Sequence, residues 1–381
     1  MVVRSATSSA YTPVGVDVKA PLRRVPRGVW VGLLAGLLLV VAFTALPGAY
    51  AAVEDGVSRL DSGDGRWIAL AIGLEALSFL GHIILFRSVF LERSSRVDFA
   101  ASYEITMAGH AATRVFGAAG AGGIAVTVWA LRRAGLATRT IAARMAGFLV
   151  LLYSLYAVAV ASVGIGLWTG VLPGGGSTAL TLLPGLAALG VVGAVLAAAA
   201  SSGRIVARAP ERVARRLEPA ADAVMGGVSE ALRVVRRRDP GLIGGAMWWG
   251  FDIAVLWACF HAFGTAPALA IIVLGYFLGL VGNALPFLGS VGGVDGGMIG
   301  ALVALGSDAG TTVVAVVVYR LISCWLPAIP GAVAYLQLRK RAAGWQGAEA
   351  PEEILVAPEP ARLAPVTRLE IPQPPVSSVA A

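Results

Sequence analysis

Apolar runs long enough to cross a bilayer recur along this chain with clusters of arginine between them, and that alternation restricts it to a bundle of membrane helices. A helix needs about 20 apolar residues to cross the hydrocarbon core, where no water satisfies exposed backbone groups. Runs of this kind cover about 28–50, 67–90, 144–169, 178–200, 241–263, 268–288 and 310–336. Charged residues make up only 14% of the chain, against roughly 25% in an average soluble domain. The expected fold class is therefore all-α: a polytopic membrane helix bundle of about 8–10 membrane segments.

The clusters between the runs fix an orientation, because loops rich in Lys and Arg stay on the cytoplasmic side. Residues 1–27 hold Arg4, Lys19, Arg23, Arg24 and Arg27 against Asp17 and show no hydrophobic period, which reads as a disordered basic cytoplasmic tail. The loop 51–66 carries four acids against Arg59 and Arg66 and belongs outside. Arg87, Arg93 and Arg96, then Arg132, Arg133 and Arg139, mark returns to the inside. The membrane domain is expected over 28–341, ending at Arg339, Lys340 and Arg341, and 342–381, with seven prolines, reads as a disordered tail. Both termini are then cytoplasmic in a cell membrane. Ala49-Tyr50-Ala51 resembles a signal-peptidase site, but the basic region before the first run is long, so an uncleaved first helix is expected.

The block 201–240 is the most basic, with nine arginines and five acids. Within it Val213, Leu217, Val224, Val228, Leu232 and Val235 recur at helical spacing, so a long cytoplasmic amphipathic segment is expected. It suits either anionic headgroups or a docking site for a partner enzyme. The net charge of +8 is mostly arginine at the ends of apolar runs, which fits lipid headgroups and gives no support for a nucleic-acid partner. Cys259 and Cys324 lie inside apolar runs without metal-ligand spacing, so neither a metal site nor a disulfide framework is indicated. Nor is any cofactor.

An internal repeat is visible in the glycines. An offset of 171 to 172 pairs Gly117 and Gly120 with Gly289 and Gly292, Gly122 with Gly293, and Gly135 with Gly306. Each cluster separates a longer helix from a shorter apolar segment, giving two short or re-entrant segments. On the charge-derived orientation the first unit begins inside at Val97 and the second outside near Ala266, so the repeats are inverted. In such folds broken helices meet near the bilayer midplane and bind the polar part of the cargo. The expected glycine breaks are Gly117, Gly120, Gly292 and Gly293; close packing between helices is the other role such residues fill.

Charges inside membrane segments are costly and ask for a partner or a function. Glu75 and His82 share a face of one helix, His110 and Arg114 stand one turn apart before the first glycine cluster, and Asp252, His261, Asp295 and Arg320 complete the set. The candidate substrate-binding residues are Arg114, His110, Asp295, Arg320, Glu75 and the neutral Asn283. Arg114 either grips a phosphate or forms an ion pair with Glu75, Glu104 or Asp295. No HExxH motif, nucleophile elbow or phosphate-binding glycine loop is present, so no catalytic residue is assigned and no enzyme is expected.

The stretch GNALPFLGSVGGVDGGMIGALVALG (282–306), followed by VVVYRLISCWLPAIPGAVAY (316–335), resembles the last third of the flippase-like membrane family named after the transmembrane region of lysylphosphatidylglycerol synthases. Pro286, Gly292, Gly293, Asp295, Tyr319, Arg320, Pro330 and Gly331 match in place, with Asp295 where Glu is more usual. Where the family often shows a Pro-Gly segment in its first half, this chain has Phe116-Gly117. The resemblance implies lipid translocation by a stand-alone member lacking the aminoacyl-transferase portion. Its cargo is expected among anionic or aminoacylated phospholipids or glycolipids. A non-transporting role, recruiting a lipid-modifying enzyme or glycosyltransferase, is the alternative.

Overall fold

The computed structural model describes residues 62–91, 96–116, 120–208, 211–281 and 293–345, together with Ser58. The expected first helix at 28–50, the basic tail, and 346–381 fall outside the described residues. Among the described residues every regular element is a helix, and five stretches are long and apolar enough to cross a membrane.

Local chemistry sets the helix boundaries. Helix α1 (Gly65–Phe90) starts where the Asp64 carboxylate accepts a hydrogen bond from Arg66 N–H at 2.9 Å. Helix α2 (Phe99–Phe116) starts beside Asp98, whose carboxylate accepts from Ala101 N–H at 2.7 Å. Helix α3 (Ala121–Arg133) follows Gly120, whose φ of 84° lies in the left-handed region that glycine tolerates. Two long helices, α4 (Thr138–Trp168) and α5 (Thr178–Arg208), precede α6 (Glu211–Arg236). The second half of the chain holds α7 (Ile243–Phe263), α8 (Leu269–Leu280), α9 (Gly293–Ala304), α10 (Ala309–Arg320) and α11 (Ala328–Trp345).

The element boundaries repeat at the offset read from the glycines. Helix α3 starts at 121 and α9 at 293, α3 ends at 133 and α9 at 304, and α4 starts at 138 and α10 at 309. Gly135 and Gly306, which end the short helices, share positive φ values of 99° and 95°. In each unit the short helix folds back on the one before it. Gly122 lies against Ala112 and Gly123 against Gly109, pairing α2 with α3, while Gly275 meets Leu302 and Gly279 meets Met298, pairing α8 with α9.

These two hairpins enter the bundle from opposite ends. The ends of α1 and α11 and the starts of α2 and α4 are tied together by arginines: Arg87 donates to Ser102 Oγ at 2.8 Å, Arg144 to the Phe90 carbonyl at 2.7 Å, and Arg341 to Glu104. The α2–α3 hairpin begins and ends at this arginine-rich end. The α8–α9 hairpin begins at the other, where Gly174 approaches Ile271 and Gly176 approaches Leu305. The repeats are therefore inverted in space, and the inner parts of α2 and α8 both reach the middle of the bundle, where Arg114 and Leu280 line one cavity.

Between the two hairpins run α1 and α7, packed antiparallel. Asp64 N–H donates to the Ala262 carbonyl at one end, and Gly81 and Gly244 cross further along. A Cβ on Gly244 would stand 2.4 Å from the Gly81 carbonyl oxygen and 2.6 Å from Leu85 N, so the helices touch backbone to backbone. Two apolar clusters flank this crossing, one around Leu256, Ile272 and Met298, the other around Leu85, Ile105 and Leu131.

The structure refines several of the expected segments. The helix anticipated over 310–336 is interrupted by a π-turn, Leu321–Trp325, in which Leu326 N–H reaches back five residues to the Leu321 carbonyl at 2.8 Å. Pro327 explains it: it has no N–H for the carbonyl four residues back, and its ring crowds that carbonyl, so the turn widens. The amphipathic helix expected across 201–240 is divided, with α5 reaching Arg208 and α6 starting at Glu211.

Helix α6 buries Gly227, Val228, Ala231 and Val234 against the bundle and leaves Leu232 and Val235 of the expected apolar face exposed, as a face turned to headgroups or a partner would be. Gly227 meets Ala146 and Gly147 meets the Glu230 side chain, so small residues let α6 approach α4 closely and turn its larger apolar residues outward. Finally, α11 continues to Trp345, past the expected start of the tail.

Candidate headgroup site

Where the inner parts of α2 and α8 converge on α1 and α7, the structure holds a polar cavity of about 170 Å³. Helix α1 contributes Glu75, Phe79 and His82, α2 contributes His110 and Arg114, and α7 contributes Trp248, Trp249 and Asp252. Tyr276 and Leu280 come from α8, and Tyr319, Arg320 and Ser323 from α10 and the π-turn. Each charged residue is held by a different kind of support.

Asp252 is held by two phenols. Tyr276 donates to its Oδ2 in a short hydrogen bond, and Tyr319 reaches the two oxygens at 3.2 and 3.1 Å. Glu75 lies beside Asp252 across the α1–α7 contact and within electrostatic reach of Arg114. It is 6% exposed, and its Oε2 has no hydrogen-bond partner among the described residues.

Asp295 occupies the first turn of α9, where an acid complements the positive end of the helix, and it forms an ion pair with Arg320 through the guanidinium Nε. Arg114 occupies the last turn of α2, where a cation complements the negative end. Glu104, considered as a partner for Arg114, is instead clamped by Arg341 at 2.9 and 2.8 Å, and Asp295 is taken by Arg320.

The aromatic lining is stacked and rigid. His82 lies on Trp248 with centroids 3.8 Å apart and planes 7° from parallel, and Trp248 stacks on Trp249 at 5.4 Å. His110 Nε2 faces the Cys324 carbonyl at 3.4 Å. A carbonyl only accepts, so that contact needs the hydrogen on Nε2.

Buried polar atoms are nearly always hydrogen-bonded, so those without a protein partner mark where a ligand or water belongs. Around this cavity, among the described residues, they are Glu75 Oε2, His82 Nδ1, Arg114 Nε, Trp249 Nε1 and Arg320 Nη2. Three of them are donors, two on guanidiniums. The arrangement presents cationic donors to an acceptor-rich anionic group and one carboxylate oxygen to a donor beside it.

Of the candidates read from the sequence, Glu75, His110, Arg114 and Arg320 line the cavity, and Asp295 supports it through Arg320. Gly120 precedes α3 with its left-handed φ, and Gly293 begins α9. Asn283, Gly117 and Gly292 lie outside the described residues. Sequence reasoning noted Asp252 and His82 as charges in apolar runs without choosing them, and missed Tyr276, Trp248 and Trp249. No local pattern marked these three aromatics as cavity residues.

The model of the family described as the lysylphosphatidylglycerol synthase transmembrane region matches residues 25–331. The chain belongs to that family. It is a multi-pass membrane protein, and the match covers both repeat units up to Gly331, including all the cavity-lining residues. No curated protein matches it. The lysylphosphatidylglycerol synthase transmembrane family relates to membrane lipid handling.

Proposed function

We propose that this chain is a flippase-like lipid transporter of the cell membrane, both termini cytoplasmic, that carries a phospholipid or glycolipid headgroup between leaflets without making or breaking a covalent bond. The carrying observation is the cavity between two inverted helical hairpins, with donors on Arg114, Arg320 and Trp249 that have no partner among the described residues. The lipid phosphate sits against Arg114 and Arg320. An amine or hydroxyl of the headgroup sits against Glu75. Asp295 holds Arg320 until the phosphate competes for it.

The test is movement of headgroup-labelled anionic, aminoacylated and glycosylated lipids in proteoliposomes, comparing the intact protein with Arg114→Ala and Asp295→Asn. A hydrogen bond to a charged group contributes about 1.5–3 kcal/mol, so Arg114→Ala should slow movement of the preferred lipid by about 10- to 100-fold. Asp295→Asn should slow it similarly by misplacing Arg320. No movement of any lipid by folded protein would refute transport and favour recruitment of a lipid-modifying enzyme, for which α6 offers the basic surface.

A further inference from the structure

A second, larger space adjoins the polar cavity on the lipid-facing side. It is an apolar groove of about 480 Å³ between α1 and the α2–α11 pair, walled by Ile72, Ala76 and Ile83 of α1, Met107 of α2, and Ile322 and Pro330. Its size falls in the usual range of about 300–1,000 Å³ for small-molecule sites. Glu75 and Phe79 line both spaces, so the groove and the cavity share a wall.

The groove follows from features already described. Helices α2 and α11 are closed against each other, since a Cβ on Gly331 would stand 2.6 Å from the Met107 carbonyl oxygen, and Arg341 clamps Glu104 beyond it. Across the groove from that closed pair stands α1. The π-turn swings Ile322 into the groove wall, and Pro330 adds a side chain without a donor. Among the described residues, Glu75 at the shared wall is the one charged residue that lines the groove.

We infer that this groove holds the hydrocarbon chain of the transported lipid while its headgroup occupies the polar cavity, with Phe79 and Glu75 at the boundary between tail and head. The inference rests on the transport reading and adds the route: the lipid enters sideways between α1 and the α2–α11 pair. The occupant follows from continuity. An apolar trough joined to a cationic, carboxylate-bearing pocket matches an amphiphile, whose tail and headgroup are covalently joined in the same order. A soluble anion would use the cavity and leave the groove without a role.

The experiment uses the full chain in proteoliposomes containing phosphatidylglycerol with a photoactivatable group at mid-chain, with adducts mapped by mass spectrometry. Adducts should concentrate on the groove residues by roughly tenfold over Leu183 and Val191, exposed apolar positions on α5, a preference equivalent to about 1.4 kcal/mol. Ala76→Trp, and independently Ile72→Trp, place a large ring in the groove at lipid-facing positions and should erase that preference.

Adducts spread evenly over lipid-facing residues, or a preference unchanged by either tryptophan, would overturn the chain site whatever the transport assay reports. Concentrated adducts that vanish in the tryptophan variants support it. If that pattern holds while Arg114→Ala leaves headgroup movement unchanged, the chain site stands and the assignment of the headgroup to the arginine cavity fails.

Discussion

Replacing Gly244 with alanine tests the helix crossing on which the cavity is built. The added Cβ would meet the Gly81 carbonyl oxygen at 2.4 Å, Leu85 N at 2.6 Å and Ile84 Cβ at 3.1 Å. The first two are backbone atoms and cannot rotate away. Restoring ordinary contact requires α1 and α7 to separate by nearly an ångström, and overpacking of this kind costs about 1–3 kcal/mol. The same separation pulls Glu75 from Asp252, which sit on these two helices.

Gly250 supplies the control, because a Cβ there has nothing within 4 Å, and alanine in a helix interior is favoured over glycine by up to about 1 kcal/mol. Equilibrium unfolding in detergent micelles should show Gly244→Ala destabilised by about 1–3 kcal/mol and Gly250→Ala unchanged or slightly stabilised. Lipid movement should fall with the first and persist with the second. If Gly244→Ala is as stable as the parent, α1 and α7 do not meet backbone to backbone, and the derivation of the cavity from their crossing fails.

Arg341→Ala should leave Glu104 buried without its bidentate partner and cost about 1.5–3 kcal/mol, whereas Glu104→Gln with Arg341→Ala together should cost less than the two single changes summed, read from a double-mutant cycle of unfolding free energies. Tyr319→Phe removes one of the two phenol donors to Asp252 and should destabilise by about 1–3 kcal/mol; a variant as stable as the parent would show that this hydrogen bond does not hold Asp252. Val234→Asp should unfold the protein or abolish expression, because that side chain is 4% exposed, while Leu232→Asp, at a position 44% exposed, should be tolerated in thermal-stability assays. The opposite order would place Leu232 rather than Val234 against the bundle.

Much of the scaffold was legible because its determinants are local. Runs of apolar residues report membrane segments directly, and the matched positive-φ positions Gly135 and Gly306 are glycines for a reason that holds at any depth. The stripe that α6 buries was not legible, because a 3.6-residue period finds the larger side chains. Packing here was decided by how closely Gly227 and Gly147 let two backbones approach, which no single-helix pattern contains. The ionisable part of the cavity was legible because a charge in an apolar run is conspicuous. The aromatic part was not, since Trp248, Trp249 and Tyr276 look like ordinary membrane-helix residues until α7 and α8 are brought together.

The repeat also separates scaffold from site. Offsets of 171 to 172 carry the hairpins and their glycines from one unit to the other, but the same offsets carry Arg114 to Leu285, Arg320 to Leu149 and Asp295 to Gly123 or Ile124. The charges are therefore not required by the hairpin architecture, which forms in each unit without their counterparts. Each unit nevertheless contributes one arginine to the shared cavity, Arg114 from the first and Arg320 from the second, and the helix before each unit contributes one carboxylate, Glu75 on α1 and Asp252 on α7. A scaffold that repeats while its charges do not, with those charges gathered at the one place both units reach, is the arrangement expected when the cost of burying them is offset by binding a ligand there. Removing all four charges together, as Glu75→Gln, Arg114→Gln, Asp252→Asn and Arg320→Gln, should then leave the helical hairpins intact by circular dichroism and cysteine accessibility while abolishing cargo movement. A quadruple variant that fails to insert would show instead that the charges hold the bundle together.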